Sequence, residues 1–321
     1  MPDPQSPRFI QTWLADADAE RSAARAALAA KPASVAPKFF YDRLGSHLFE
    51  AITELDEYYP TRTEAAIFAR HGADMAQAIG AGMALIDLGA GNCAKAARLF
   101  PLLEPSRYVA VDISVEFLRD ALRELQRDHP QVRIAGLGQD FSTELDIPGE
   151  VLGDERPVFF YPGSSIGNFT PDDALGFLRR VRERASRGGL LIGVDLVKPH
   201  AVLEAAYDDA LGVTAAFNRN ALVHLNRLIG SDFSPRQWRH VAFFDAAKSR
   251  IEMHLEAGED IEVAWPGGGR RFAAGERIHT ENSCKYTASA FADLLVAAGF
   301  DAPLRWTDPQ QWFAVFWARA R

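Results

Sequence analysis

The chain has only two cysteines, Cys93 and Cys284, far apart in sequence, and neither has a His or Cys neighbour at metal-ligand spacing. That excludes a disulfide framework or a structural zinc site; two isolated thiols fit a reducing cytoplasm better than a disulfide, although one bridge between them is conceivable. Its eight histidines are scattered and form no His-x-x-x-His pair, so no metal is expected. There is no Lys/Arg block, and the formal net charge is -8. A surface built to hold nucleic acid or an anionic membrane is therefore not expected, while a small anionic substrate remains compatible with a locally positive pocket. No uninterrupted apolar run is long enough to span a bilayer. The first thirty or so residues are charged and Ala-rich, so a signal peptide is not expected and a cytoplasmic location is. Internal repeats and low-complexity segments are missing as well.

What is present is ordinary material for a core. Hydrophobic residues make up 48% and charged residues 24% of the 321, enough for one large domain or two intimate ones. Residues 7–30 read as helical from apolar spacing and abundant alanine. An aromatic segment follows, from Phe39-Phe40-Tyr41 to Tyr58-Tyr59-Pro60, and then a helix over about 62–79. Beyond it, short apolar runs alternate with helical stretches. The runs cover 83–88, 108–111, 132–137, 158–161 and 190–194, and they end in Gly89-Ala90-Gly91, Asp112, Asp140-Phe141, Gly163 to Asn168, and Asp195. Short buried strands separated by helices indicate an α/β fold with a parallel, doubly wound sheet. Ligands of such sheets lie beyond the carboxyl ends of the strands, where these polar and glycine-rich residues fall.

Between residues 198 and 286 the alternation lapses. A helical part carries Tyr207-Asp208-Asp209 and Phe217 to Asn220, and antiparallel strands follow near 240–244, 250–255 and 271–272. A final helix (288–298) and strands at 304–307 and 312–317 return to the sheet. The expected division is a cofactor domain of residues 61–198 and 286–321, and a substrate-binding domain of 1–60 and 199–285.

Gly89 and Gly91 allow a tight turn after the first strand and close approach of a ligand to the backbone. That pattern alone is weak, because glycine-rich strand-to-helix turns also occur for structural reasons. Asp112, about twenty residues on, strengthens it, since a carboxylate there can accept from both ribose hydroxyls; the plainer alternative is a cap for a helix starting near Val115. Asp140 suits the adenine amino group and Phe141 an aromatic face. Together these favour an adenosine-containing ligand. S-Adenosylmethionine fits acidic strand ends better than NAD, because it is cationic and brings no pyrophosphate to seat on a helix N-terminus. Asn168, after the fourth strand, can donate to a carboxylate and accept from an ammonium, or simply cap the helix after Thr170-Pro171.

Phe40-Tyr41-Asp42, Glu57 to Glu64, Gly163 to Asn168, Ala206 to Asp209, Gly212 to Asn220, Arg250 to Met253 and Thr280 to Lys285 together closely resemble the L-histidine Nα-methyltransferases of ergothioneine biosynthesis. The resemblance runs from about residue 38 to the C-terminus. It implies a Rossmann-like class I methyltransferase domain with an α+β substrate-binding subdomain inserted and completed by the N-terminal segment. It implies S-adenosylmethionine as cofactor, S-adenosylhomocysteine as product, and trimethylation of the α-amine of L-histidine to hercynine. By the same resemblance Tyr41, Gly89, Lys95, Asp112, Asp140 and Phe141 contact the cofactor. Gly163 falls in the substrate loop, Asn168 and Tyr207 hold the substrate carboxylate and align its amine, and Tyr58, Glu281 and Ser283 read the imidazole with Met253 beside it. Tyr41 and Asn168 are the candidates for a direct part in catalysis. Two departures stand out: Asn92-Cys93-Ala94 in the glycine turn, and Asn282 between the two imidazole readers. On an extended segment Glu281 and Ser283 face one side and Asn282 the other.

Methyl transfer from a sulfonium needs positioning and desolvation of the amine more than activation of the reagent; water or Tyr41 is the candidate proton acceptor. A monomer is expected. The rival readings are the same chemistry on another amino acid or amine, a nicotinamide-dependent oxidoreductase, and a non-catalytic adenosine-binding regulator.

Overall fold

The computed structural model describes residues 7–11 and 17–320. In chain order the strands are β1 (Arg8–Gln11), β2 (Ala33–Ser34), β3 (Ala84–Leu88), β4 (Arg107–Asp112), β5 (Arg133–Gly138), β6 (Pro157–Tyr161) and β7 (Gly189–Asp195). They continue with β8 (Trp238–Asp245), β9 (Arg250–Ala257), β10 (Ile261–Trp265), β11 (Gly268–Phe272), β12 (Arg277–Cys284), β13 (Leu304–Thr307) and β14 (Phe313–Arg319). The chain divides into two compact units: Met1–Trp13, Pro60–Val197 and Lys285–Arg321 form one, and Leu14–Tyr59 with Lys198–Cys284 form the other.

The first unit is built on a sheet of order β1-β5-β4-β3-β6-β7-β14-β13. Strands β1 and β3 to β7 run parallel; β14 pairs antiparallel with β7, and β13 pairs antiparallel with β14. This is the doubly wound α/β arrangement that the alternating pattern implies. Side chains leave successive residues of each strand on opposite faces. Ile86, Val109, Phe159 and Leu190 enter one apolar core, and Leu85, Tyr108, Val158 and Leu191 enter the other. Strands β3, β6 and β7 are buried along their whole length, which is why they read as unbroken apolar runs.

One expectation is corrected here. Residues 8–11, read as the start of a helix, form an edge strand parallel to β5, and the helix is confined to Ala17–Ala29; residues 12–16 lie outside the described part. The physical reason sits in the partner strand. A Cβ on Gly136 would come 2.6 Å from the Phe9 ring, so the glycines of β5 make a seat for Phe9 that no local periodicity records. Arg119 covers the other side of the Phe9 ring at 4.4 Å.

The second unit contains the sheet β2-β12-β9-β8 and the hairpin β10-β11, with the helix Val213–Ile229 as its longest. Strands β10 and β12 go beyond the strands expected from sequence. Asp42 caps the helix Arg43–Thr53 by accepting from Gly45 N–H at 2.8 Å, and also accepts from Asn220 Nδ2 at 2.7 Å and from Arg227 at 2.6 Å. Burial raises the Asp42 carboxyl and these donors more than offset it, so its pKa falls. Asp209 accepts from the Val213 and Thr214 N–H groups at 2.9 and 2.7 Å, closing the start of the long helix. Asp42, Asp209 and Asn220 thus build the scaffold.

Candidate functional site

In the first unit the strand ends converge on the turn after β3. Gly89 and Gly91 have φ of 72° and 53°, conformations that favour glycine. A Cβ on Gly91 would meet nothing within 4 Å, and one on Gly89 would meet only the Phe141 ring at 3.7 Å. The surface of this turn is therefore open, with an aromatic face from the end of β5 beside it. Asp112 Oδ2 accepts from Gly91 N–H at 2.9 Å and Oδ1 from Ser114 N–H at 2.8 Å. Burial raises the Asp112 carboxyl, opposed by the N–H groups of Ser114 and Gly91. Asp140 is half-buried and accepts from Ser142 N–H at 3.2 Å. The unexpected Cys93 points away: its thiol is buried in the core with Tyr108, and burial raises its pKa.

Lys95 reaches from the helix after this turn to the loop after β6. Its Nζ donates to Glu64 Oε2 at 2.8 Å, and the other oxygen of Glu64 accepts from Gly163 N–H, also at 2.8 Å. Glu64 joins the helix after the β3 turn to the loop after β6, and sequence reasoning gave it no role. Asn168 ends the short helix Ser165–Asn168 and is half-buried. The cap of the following helix is Thr170, whose hydroxyl accepts from Asp173 N–H, so the capping alternative for Asn168 falls. Beneath the turn, Asp87 is buried and accepts from Tyr108 OH at 2.7 Å; burial lifts its carboxyl to about 7. At the end of β7, Asp195 pairs with Lys285 at 2.7 Å, both fully buried.

The second unit gathers the remaining candidates. The Tyr41 ring packs edge-on against Phe49 and Phe217, with centroids 5.7 and 5.6 Å away. Phe49 continues to Tyr58 at 6.2 Å, and Tyr58 to Tyr207 at 6.3 Å. The Tyr207 hydroxyl is 2.7 Å from Ser283 Oγ. Glu281 stands opposite Met253 in the pairing of β12 with β9. Glu281, Ser283 and Met253 are all buried. Asn282 instead shares a hydrogen bond of 2.9 Å with His279, away from its two neighbours' face, as alternation along an extended strand requires.

Among the described residues no cluster of three or more metal-ligating side chains occurs, and no helix is long and apolar enough to cross a membrane.

The chain matches a family model described as histidine-specific methyltransferase, SAM-dependent, over residues 20–320. It is 39% identical over 300 residues to the histidine N-alpha-methyltransferase of Mycolicibacterium smegmatis, covering 91% of this chain and 92% of that one. A protein of the same name from Mycobacterium tuberculosis is 39% identical over 284 residues, 86% of this chain and 87% of its own. Ergothioneine biosynthesis protein 1 of Neurospora crassa is 31% identical over 290 residues, which is 86% of this chain and 32% of that longer protein.

Proposed function

This chain belongs to the S-adenosylmethionine-dependent histidine-specific methyltransferases, and from that premise we propose that it methylates the α-amine of L-histidine three times, giving hercynine and S-adenosylhomocysteine, in ergothioneine biosynthesis. The observation that carries the substrate half is the placement of Glu281 and Ser283 on one buried face of β12, with Met253 opposite. A carboxylate and a hydroxyl together can bind both imidazole nitrogens, one as N–H donor and one as acceptor. The family assignment removes the nicotinamide reading.

The first unit's strand ends fit the cofactor. Gly89 and Gly91 leave the turn open, Asp112 at the end of β4 would accept from the ribose hydroxyls, and Phe141, whose ring lies beside the turn, would take the adenine together with Asp140. Lys95 and Tyr41 complete the cofactor contacts. The sulfonium, when bound, supplies an already activated methyl group for in-line displacement. By the family resemblance, Asn168 and Tyr207 would hold the substrate carboxylate and orient the amine, Gly163 would belong to the substrate loop, and Tyr58 would read the imidazole. The proton lost from the amine at each transfer goes to water, either directly or through the Tyr41 hydroxyl, which passes its own proton on as it receives one. Anchoring both ends of the substrate lets the amine turn between transfers. We take the enzyme to act as a monomer in the cytoplasm, a reading supported, as far as compartment is concerned, by having only two cysteines, both buried.

Incubation with histidine and S-adenosylmethionine, followed by mass spectrometry, tests the proposal. Successive additions of one, two and three methyl groups are expected. Methylation of other free amino acids in preference to histidine would overturn it.

A further inference from the structure

We propose that His240, itself held by Asn218, is a positioning residue for the substrate: it fixes the backbone from which Tyr207 reaches its partners. The inference rests on the reading above that Tyr207 takes part in holding histidine.

Asn218 is fully buried on the helix Val213–Ile229, and His240 is buried on β8. Asn218 Nδ2 lies 3.0 Å from the His254 carbonyl oxygen and 2.8 Å from His240 Nδ1. A carbonyl can only accept, so the amide nitrogen must face it, and the second N–H of the same nitrogen then points at His240 Nδ1. Nδ1 is therefore the acceptor, and the ring proton sits on Nε2. From there it donates to the Tyr207 carbonyl at 2.8 Å. The chain of donors has one direction, from Asn218 through His240 to Tyr207.

What it fixes is the start of the turn that follows a short helix. The helix His200–Ala205 ends just before Tyr207, whose N–H still reaches Glu204. The carbonyl is past the helix and takes its donor from His240. The same residue's hydroxyl meets Ser283 and its ring meets Tyr58, so a shift of the backbone displaces all three contacts. An unpaired buried carbonyl is also costly in its own right.

The arrangement works only with a neutral ring. A protonated His240 would point an Nδ1–H at the Asn218 amide hydrogens. Burial opposes the cation, as does Arg219 on the long helix; Asp208 and Asp209, on the turn, favour it, with Asp208 Oδ1 4.0 Å from Nε2. From β9 the group presented is the His254 carbonyl, through Asn218. The balance keeps the ring neutral to lower pH than an ordinary histidine. Below that pH Nδ1 no longer accepts from Asn218, and the ring that donates to Tyr207 loses the contact that holds it in place.

His240→Ala and His240→Gln separate positioning from general support of the fold. In His240→Ala the KM for histidine should rise about tenfold while the KM for S-adenosylmethionine stays within about twofold. His240→Gln carries an amide that can donate to Tyr207 and accept from Asn218, so it should restore the histidine KM at neutral pH. Because glutamine does not titrate, the ratio of wild-type to His240→Gln histidine KM should climb as the pH is lowered below about 6.5, the ordinary histidine value, and taking the ratio cancels the titration of the substrate itself. An unchanged histidine KM in His240→Ala, an equal rise in both KM values, or a flat ratio across that range would each overturn the proposal, and the ratio decides the matter even where the alanine variant does not fold. A wild-type enzyme that left histidine unmethylated would remove the premise and the proposal with it; methylation with unresponsive variants would sink the role of His240 alone.

Discussion

Glu64 and Lys95 meet at 2.8 Å with the carboxylate only 1% exposed and the ammonium partly open to solvent. The asymmetry decides what each partner contributes. Lys95 can regain water if the pair is broken, but Gly163 N–H would lose the acceptor it now has in Glu64. Glu64→Ala should therefore destabilise the fold by about 1–3 kcal/mol, the scale of an unsatisfied buried donor, and weaken S-adenosylmethionine by letting both Lys95 and the Gly163 loop drift. Glu64→Gln keeps an oxygen for Gly163 and should lose less stability. Thermal denaturation and titration calorimetry with S-adenosylmethionine measure the two effects. Wild-type cofactor affinity in Glu64→Ala would show that the clamp does not shape the cofactor site.

Gly193 lies beneath the same carboxylate. A Cβ there would come 2.0 Å from Glu64 Oε1 and 2.9 Å from the Phe313 ring, so Gly193→Ala should cost about 1–3 kcal/mol through overpacking. The clash is with a particular side chain, which makes the effect conditional. In a Glu64→Ala background the added methyl should cost markedly less, giving a favourable coupling in the double-mutant cycle. Strict additivity in melting experiments would place the cost on Phe313 instead.

Asp87 sets a pH dependence on stability. Its midpoint moves from 3.8 to about 7 because it is buried, with Tyr108 OH opposing the shift. The folded protein then holds a proton that the unfolded chain releases above about pH 4, so the contribution is fully present below that pH and is lost as pH rises through about 7. The loss amounts to at most about 4 kcal/mol, the cost of an ionised carboxylate in this site. Asp87→Asn keeps an acceptor for Tyr108 and cannot ionise. Relative to that variant, the wild-type melting temperature should fall between about pH 4 and 7 and level off above; parallel curves would mean that Asp87 is ionised throughout.

The architecture was legible in the sequence because β3, β6 and β7 are buried along their whole length and β4 and β5 nearly so, and each strand announced itself as a short apolar run. The face shared by Glu281 and Ser283 followed from alternation along an extended segment, and Asn282 turns away as that rule demands. What escaped notice depends on distant partners. β1 is a strand because Gly136 and Gly138, more than a hundred residues later, leave room for Phe9. Glu64 looked like an ordinary polar position on the helix Tyr59–Ile79; its partners are 31 and 99 residues away. His240 was one scattered histidine until Asn218 and Tyr207 came beside it.

Glu281 supplies the sharpest test of substrate recognition. It is buried on the face it shares with Ser283, and a histidine side chain bound there offers one ring N–H to be matched by an acceptor. Truncation to alanine leaves that N–H unpaired in a dry site, so Glu281→Ala should weaken histidine binding by roughly 1–3 kcal/mol, about 5- to 150-fold in Kd. The loss should be confined to histidine, because Glu281 is not among the groups proposed to hold the cofactor. Asn168→Ala should also weaken histidine, but through the carboxylate. The two variants differ in how they treat histamine, which keeps the imidazole and lacks the carboxylate. Binding of histamine should suffer in Glu281→Ala and be indifferent to Asn168→Ala. Calorimetry in which Glu281→Ala bound histidine as tightly as the wild type would take the imidazole-reading role away from β12.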